Sequence, residues 1–277
     1  MVNWTEPSRT NKMTVGRVFP YQVGFTSPPC YFDPALVDFL KVSPDTIGVQ
    51  ARMLHVPNYA FGLEQRLDNF GLLEEVVACM AASGADVVGQ LGTNWSHAGN
   101  RTPDEISRFC NRVSETYETP FHMAGYCLIE ALQALNVERI AINAVYSWPD
   151  WRDGIARFLA SAGFDIVYAG NFVDQGFYSD IAECNKQIWT FPYELAEKSM
   201  RYVAEKARNA EVIVVSGAPS FRCANGMLQR IVGLMPELEA SIGKTIIASD
   251  LALYWRVYRT LKLRPIKELG HLMSMLR

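Results

Sequence analysis

The sequence predicts an α/β protein in which helices cover parallel sheets. Short apolar segments alternate with longer amphipathic segments along the chain, as in repeated β-α-β-α units. The apolar segments are as short as buried parallel strands are. A chain of 277 residues is too long for one small core, so it fits one large or two medium α/β domains.

The predicted strands are β-rich or apolar runs that end at small or polar residues. They cover residues 23–26, 47–56, 85–93, 139–146, 164–172, 211–217 and 244–250.

The predicted helices have apolar residues at helical spacing and recognisable ends. Gly84 and Gly163 end two of them, Pro103 and Pro192 lie near the start of two others, and Pro236 breaks or restarts another. The helices cover residues 33–41, 67–84, 103–117, 123–137, 150–163, 191–209, 227–243 and 251–261.

Composition and net charge give no indication of nucleic acid or a membrane as a binding partner. Hydrophobic residues make up 49% of the chain and charged residues 20%, which is typical of a globular protein. A formal net charge of −3 gives no reason to expect nucleic acid or an anionic membrane as partner. No apolar run approaches the roughly 18–20 residues that span a bilayer.

The cysteines and the N-terminus favour a cytoplasmic protein. The six cysteines include no CxxC pair and form no His/Cys cluster with ligand spacing, so we expect neither structural disulfides nor a zinc site. The first twenty residues contain no continuous apolar run, so no signal peptide is expected.

Two segments repeat one pattern. Residues 85–96 (ADVVGQLGTNWS) and 210–221 (AEVIVVSGAPSF) both run from a helix end through an apolar strand into a loop of small residues. Two similar halves that face each other would bring these loops together. Open parallel sheets bind ligands at the carboxyl ends of their strands, so we expect a site there.

The loop after the first strand carries Pro28, Pro29, Cys30 and Tyr31. The prolines predict a rigid wall, and a thiol and a phenol follow it directly. The alternative is a stiff turn that only buries Cys30.

The loop after the strand 85–93 offers polar groups for an anion. Gly92 lets a ligand approach the backbone, while Thr93 and Asn94 offer donors that suit a carboxylate or a developing oxyanion. Trp95 follows, and His97 could transfer a proton. The alternative is a loop that caps the next helix and leaves His97 exposed.

Aromatic residues accompany these loops. Tyr146 closes a strand and could point its phenol into the cleft, although half-buried packing is the alternative role. Tyr31, Trp95, Trp148 and Phe221 could shape a pocket for an apolar or aromatic substrate.

The last loop begins Ser216, Gly217, Ala218, and we expect a helix to follow it. Backbone N–H groups at a helix start favour anions, and Arg222 could pair with a carboxylate. The helix start would also lower the pKa of the Cys223 thiol. The alternative places Arg222 in solvent and Cys223 in the core.

These segments, from about residue 20 to 262, resemble the aspartate/glutamate racemase superfamily, and within it the arylmalonate decarboxylase and maleate isomerase branch. VGFTSPPCYFDPAL resembles the first strand and its Pro-Pro substrate loop, and GADVVGQLGTNWS resembles the decarboxylase stretch that ends in Gly-Thr-Ser. EALQALNVERIAINAVY resembles the segment that ends in the active-site Tyr. VIVVSGAPSF is similar to the strand that ends in Ser-Cys-Gly-Gly, and IGKTIIASDLALYWRVYRTL to the closing strand and helix.

The resemblance implies two pseudo-symmetric Rossmann-like domains with parallel four-stranded sheets and an active site in the cleft between them. The first domain would comprise residues 18–118 and 228–277, and the second residues 119–227. The resemblance also implies that no metal and no organic cofactor are needed. The substrate would be a small carboxylate or carbonyl compound, and a homo-oligomer is expected because family members are often oligomers.

The resemblance assigns roles to single residues. Typical members place one cysteine on each side of the substrate, the decarboxylases keep only the second, and in the isomerases a cysteine attacks the double bond. Gly92 stands at the first cysteine position and Gly217 at the second, so neither thiol is expected. Thr93 matches the oxyanion-holding Thr, Asn94 stands where a Ser is usual, and Tyr146 matches the Tyr.

Without those thiols, the chemistry must rest on other groups. Cys30 or Cys223 could reach the substrate, or the proton transfer could have moved to His97, Tyr146 or Asp250. The leading hypothesis is a decarboxylase or isomerase that works through an enolate-like intermediate. The alternatives are a hydrolase of a small amide, lactone or enamine, and a non-catalytic protein that binds small acids.

Overall fold

The computed structural model describes residues 17–187 and 189–276. Most of the segment in which no signal peptide is expected therefore lies outside the described residues. Among the helices of the described chain, none combines the length and the apolar character that a bilayer span requires.

Strands and helices alternate in the predicted rhythm. The strands are β1 (Tyr21–Ser27), β2 (Ile47–Met53), β3 (Val87–Gln90), β4 (Phe121–Met123), β5 (Arg139–Val145), β6 (Asp165–Asn171), β7 (Thr190–Pro192), β8 (Val212–Val215), β9 (Ser220–Arg222), β10 (Leu228–Arg230) and β11 (Thr245–Ala248). The helices are α1 (Ala35–Val42), α2 (Leu63–Asp68), α3 (Leu72–Ala82), α4 (Asn94–His97), α5 (Pro103–Thr116), α6 (Ala124–Ala134), α7 (Pro149–Ser161), α8 (Ile181–Asn185), α9 (Glu194–Lys206), α10 (Ile231–Ile242), α11 (Ser249–Leu261) and α12 (His271–Ser274).

Two parallel four-stranded sheets form the centre of the molecule, which confirms the predicted fold class. Their strand orders are β2-β1-β3-β4 and β11-β8-β5-β6. When the strands of each sheet are numbered in chain order, the first strand lies between the second and the third, and the fourth lies beyond the third. The sheets therefore share one connectivity, and β3 and β8 occupy equivalent places.

The sheets divide the chain differently from the predicted boundaries. Strand β4 belongs to the first sheet although residues 119–227 were assigned to the second domain, and β11 belongs to the second sheet although residues 228–277 were assigned to the first. The segment of β4 is too short to stand out as a strand in the sequence. Helix α11 packs on α6 and β3, so the chain returns to the first half only after β11.

Several predicted elements have different ends or forms. The predicted helix 67–84 is two helices, α2 and α3, separated at residues 69–71. Pro236 lies inside the continuous helix α10, which begins at Ile231 rather than at residue 227.

The segment after Gly217 is not the predicted helix. Strands β9 and β10 form an antiparallel hairpin that continues onto β7. In β9 the buried Phe221 precedes the exposed Arg222, an alternation typical of a strand. The structure therefore places a strand and a turn at Arg222 and Cys223, where the sequence predicted a helix start.

Candidate active site

A cleft opens where the carboxyl ends of the central strands of both sheets meet. The space outside the protein atoms is about 750 Å³ when the open mouth is counted. Its walls come from loops that follow strands of both sheets. The lining residues are Pro28, Tyr31, Asp33, Pro34, Arg66, Leu91, Gly92, Thr93, Asn94, Trp95, Ala144, Tyr146, Trp151, Trp189, Ser216, Gly217, Ala218, Arg230 and Asp250.

The loops after β3 and β8 meet in this cleft, as the repeated pattern predicts. The hydroxyl oxygens of Thr93 and Ser216 lie 3.3 Å apart, and both side chains are buried. Each loop follows the strand that is third in chain order within its sheet. The two loops therefore have equivalent places in the two sheets, and they meet face to face.

Unpaired backbone donors surround this contact. Among the described residues, the backbone N–H groups of Gly92, Thr93, Gly217 and Ala218 have no protein acceptor. We call these N–H groups, together with the hydroxyls of Thr93 and Ser216, the donor cluster. Donors fixed in this way stabilise an anion or a developing negative charge.

Tyr146 reaches the cleft from a strained backbone. The preceding Val145 is fully buried and has φ +59°, which is uncommon for a β-branched residue. The N–H of Tyr146 donates to the carbonyl of Ala144 at 2.6 Å, so the chain turns sharply as β5 ends. Burial raises the pKa of the Tyr146 phenol, which therefore remains a hydrogen-bond donor at neutral pH.

The two glycines of the cleft differ in the space around them. At Gly217, with φ +108°, an added Cβ would lie 2.4 Å from Cε2 and 3.2 Å from the hydroxyl oxygen of Tyr146. At Gly92, with φ +84°, an added Cβ would meet no atom within 4 Å. The Tyr146 ring therefore occupies the space that a side chain at position 217 would need.

A buried cluster of charges forms another wall of the cleft. The Arg230 guanidinium contacts Asp250 Oδ2 at 2.6 Å, Asp33 Oδ1 at 3.1 Å and Asp38 Oδ2 at 3.2 Å, and it also donates to the carbonyl of Ala218 at 2.9 Å. We call Arg230 and these three carboxylates the aspartate–arginine cluster. Asp33 and Asp250 line the cleft.

Three carboxylates share one guanidinium in this cluster, and burial raises the pKa of both Asp38 and Asp250. Burial raises the pKa of Asp250 to about 6, against the opposing effect of Arg230, and the neighbouring Asp33 raises it further. A carboxyl group with a pKa near neutrality is suited to general acid–base catalysis.

Aromatic rings close the remaining side of the cleft. The Tyr31 and Trp189 ring centroids lie 4.4 Å apart, and Tyr146 lies 5.8 Å from both Trp151 and Trp189. These rings offer an apolar surface to a ligand. Trp148 stacks on Trp151 at 4.5 Å behind the lining residues.

Most of the predicted site residues line the cleft: Pro28, Tyr31, Gly92, Thr93, Asn94, Trp95, Tyr146, Ser216, Gly217 and Ala218. Asn94 also uses its Oδ1 atom locally, at 3.2 Å from Nε2 of His97.

Other predicted residues do not line the cleft. The Cys30 side chain is exposed and turns towards the carbonyl of Val56, 3.9 Å away, and Pro29 is buried within the loop without lining the cleft. His97 is buried behind Asn94, and burial lowers its pKa to about 3, so it remains neutral.

The hairpin also holds the other predicted residues away from the cleft. Arg222 is exposed on β9, and Cys223 lies in the turn that follows, so neither side chain lines the cleft. Phe221 is fully buried beside Phe191. Among the described residues, no cysteine lines the cleft.

The sequence prediction missed Asp33, Arg66, Trp151, Trp189 and Arg230. Asp33 follows the Pro-Pro loop by a few residues, which is a usable signal in hindsight. Arg230 and Asp33 are 197 residues apart in the chain, so no local pattern could pair them.

Comparison with known proteins gives a family and a fold. A family model described as arylmalonate decarboxylase matches residues 62–272. No curated protein sequence matches the chain.

Solved structures of two kinds of enzyme are similar to this chain. Unliganded arylmalonate decarboxylase has a TM-score of 0.70 at 18% identity, and the match covers 92% of this chain and 99% of that one. The maleate isomerase Iso from Pseudomonas putida has a TM-score of 0.68 at 16% identity, covering 93% and 99%. A mutant maleate cis-trans isomerase from Nocardia farcinica with a covalently bound succinylcysteine intermediate has a TM-score of 0.63 at 17% identity, covering 88% and 94%.

These likenesses to solved structures show a shared two-domain α/β fold, and the family model spans most of the chain. The chain therefore belongs to the arylmalonate decarboxylase family.

Proposed function

We propose that this protein is a lyase or isomerase that acts on a small carboxylic acid without an organic cofactor. The contact that carries the proposal is the meeting of Thr93 and Ser216 amid unpaired backbone donors. Such a donor cluster suits a reaction in which negative charge builds on a carboxylate or carbonyl oxygen of the substrate.

In a decarboxylation, the bond between the α-carbon and the departing carboxylate breaks. Its electron pair moves onto the remaining carboxyl group to give an enolate-like intermediate, and carbon dioxide leaves. The donor cluster stabilises the oxygens of that intermediate. The α-carbon then takes a proton, and a proton from water restores the donor.

Asp250 is the proton donor in this proposal. It is a buried carboxyl group that lines the cleft, and its pKa of about 6 leaves part of it protonated near neutral pH. Cys30 and Cys223 lie outside the lining, and His97 is buried behind Asn94.

Family membership and the fold support a decarboxylase or isomerase. They give no support to the hydrolase alternative. No observation specifically favours a non-catalytic binding protein.

The test is turnover of small acids by the purified protein in D2O, followed by NMR. The substrates are phenylmalonate, methylphenylmalonate and maleate. A decarboxylase yields the monoacid with deuterium at the α-carbon, and an isomerase yields fumarate from maleate. The proposed function would be contradicted if none of these acids showed carbon dioxide release, isomerisation or deuterium exchange.

A further inference from the structure

Arg66 is a buried cation on the wall of the cleft. It lies in α2 and is 4% exposed. Its Nη1 atom donates to the carbonyl oxygens of Phe61 at 3.1 Å and Gly62 at 3.4 Å. Its Nε and Nη2 atoms have no protein acceptor among the described residues.

No carboxylate of the described residues forms an ion pair with Arg66, in contrast to Arg230 with its three aspartates. The carboxylate that acts on it is Asp150, which is exposed and accepts the backbone N–H of Trp151 at 3.0 Å. A buried charge is costly unless it is paired. The described residues therefore supply no anion to the free side of this guanidinium, which leaves that side available to an anionic ligand.

Aromatic rings hold the guanidinium in place. Its Cζ atom lies 4.8 Å from the ring centroid of Trp151 and 5.2 Å from that of Tyr59. Packing against rings occupies the faces of a guanidinium and leaves its edge free for hydrogen bonds. Burial lowers the pKa of Arg66 to about 10, so it still carries its charge at neutral pH.

We infer that Arg66 binds a carboxylate of the substrate, and that this is the carboxylate which the reaction keeps. The inference rests on the proposed function. A guanidinium stabilises a carboxylate that stays charged, whereas a departing carboxylate loses its charge as carbon dioxide forms. The kept carboxylate gains negative charge in the enolate-like intermediate, so its pairing with Arg66 strengthens as the bond breaks.

This pairing defines the substrate class. The substrate carries one carboxylate for Arg66 and an apolar or aromatic group for the rings of Tyr31, Trp151 and Trp189.

The test compares acids with their neutral amides in equilibrium binding. The pairs are phenylacetate with phenylacetamide, benzoate with benzamide, and butyrate with butyramide. Tryptophan fluorescence reports binding, because Trp151 and Trp189 line the cleft, and calorimetry confirms it. We expect the protein to bind at least one acid more tightly than its amide, and Arg66→Gln to weaken that acid roughly 10- to 100-fold, with the amide unchanged.

Two further variants control the experiment. Arg157→Gln removes an exposed arginine of α7 that donates to Asn100 Oδ1 at 3.2 Å, and it should change neither ligand. Arg66→Lys keeps the charge and should retain part of the preference for acids even if Arg66→Gln does not fold. Thermal unfolding checks that the variants are intact.

Equal weakening of acid and amide by Arg66→Gln would assign a structural role to Arg66 and overturn the inference. The inference would also be overturned if the wild-type protein bound no acid more tightly than its amide in any of the three pairs. Charge-selective binding that depends on Arg66, without turnover of any malonate or of maleate, would leave Arg66 as the carboxylate-binding residue and refute the proposed function, and with it the distinction between a kept and a departing carboxylate.

Discussion

The hydroxyl groups of Thr93 and Ser216 lie 3.3 Å apart although 123 residues separate them in the chain. Each residue follows the third strand of its own sheet, so the contact is a consequence of the repeated connectivity. It joins the two halves of the molecule at the place where the backbone donors are unpaired. The first prediction concerns this contact.

Thr93→Ala should lower kcat roughly 10²- to 10³-fold, because the variant loses one donor to the developing negative charge. The measurement is the initial rate of substrate consumption at saturating substrate. Thr116→Ala is the matched control, since the Thr116 hydroxyl is exposed and donates to the carbonyl of Arg112 within α5. An unchanged kcat in Thr93→Ala would remove this hydroxyl from the mechanism.

Asp250 should impose a pH dependence on the rate. The donor must be protonated, so kcat should fall as the pH rises through about 6, which is the pKa of the buried carboxyl group. In Asp250→Asn, this fall of kcat with rising pH should disappear together with most of the activity. Profiles of kcat against pH for both proteins check the prediction, and an unaltered profile in the variant contradicts it.

Asp250 should also make the free energy of unfolding depend on pH. Its folded-state pKa of about 6 is above the ordinary value of 3.8, so the folded state binds the proton more strongly than the unfolded state. The stabilisation is complete below pH 3.8 and is lost as the pH rises through about 6. Urea denaturation across this range should show a smaller decline in Asp250→Asn, and parallel curves for the two proteins would argue against the raised pKa.

The two glycines of the cleft should differ in their tolerance of cysteine. Gly92→Cys should lower the free energy of unfolding by roughly 1–2 kcal/mol, because only the positive φ opposes a side chain there. Gly217→Cys should cost roughly 1–3 kcal/mol more, because its Cβ would overlap the Tyr146 ring. Urea denaturation measures both variants.

A third variant isolates the cause of this difference. Adding Tyr146→Ala to Gly217→Cys removes the overlapping ring and should restore part of the lost stability, beyond the effect of Tyr146→Ala alone. Equal costs for the two glycine substitutions would mean that the ring moves aside freely.

The thiols of Cys30 and Cys223 should be dispensable for activity. Cys30 and Cys223 do not line the cleft, so the double variant Cys30→Ala/Cys223→Ala should keep the wild-type kcat/KM. Iodoacetamide should likewise leave the wild-type protein active. Inactivation that a bound acid prevents, and that the double variant abolishes, would restore a thiol to the mechanism.

The sequence predicted the fold and the meeting of the two loops because both follow from local patterns. Apolar runs and helical spacing mark the strands and helices, and the repeated strand-to-loop pattern at residues 85–96 and 210–221 marks the equivalent places of β3 and β8. The hairpin of β9 and β10 was missed because these strands are too short for a clear period.

The charged residues of the site could not be predicted in the same way. Arg230 meets Asp33 and Asp250 only because three separate elements converge. Arg66 carries no mark in the sequence that separates it from a surface arginine, since its burial depends on the packing of Tyr59 and Trp151 around it. For His97 the sequence predicted a site residue that the structure does not place in the cleft. Its neighbours in the sequence indicated a site, but the fold buries its side chain.

The overlap between Tyr146 and the space beside Gly217 ties the identities of these two positions together. A library that randomises position 217 alone should return almost only glycine among its folded members. A library that randomises positions 146 and 217 together should recover larger residues at 217, each accompanied by a smaller one at 146.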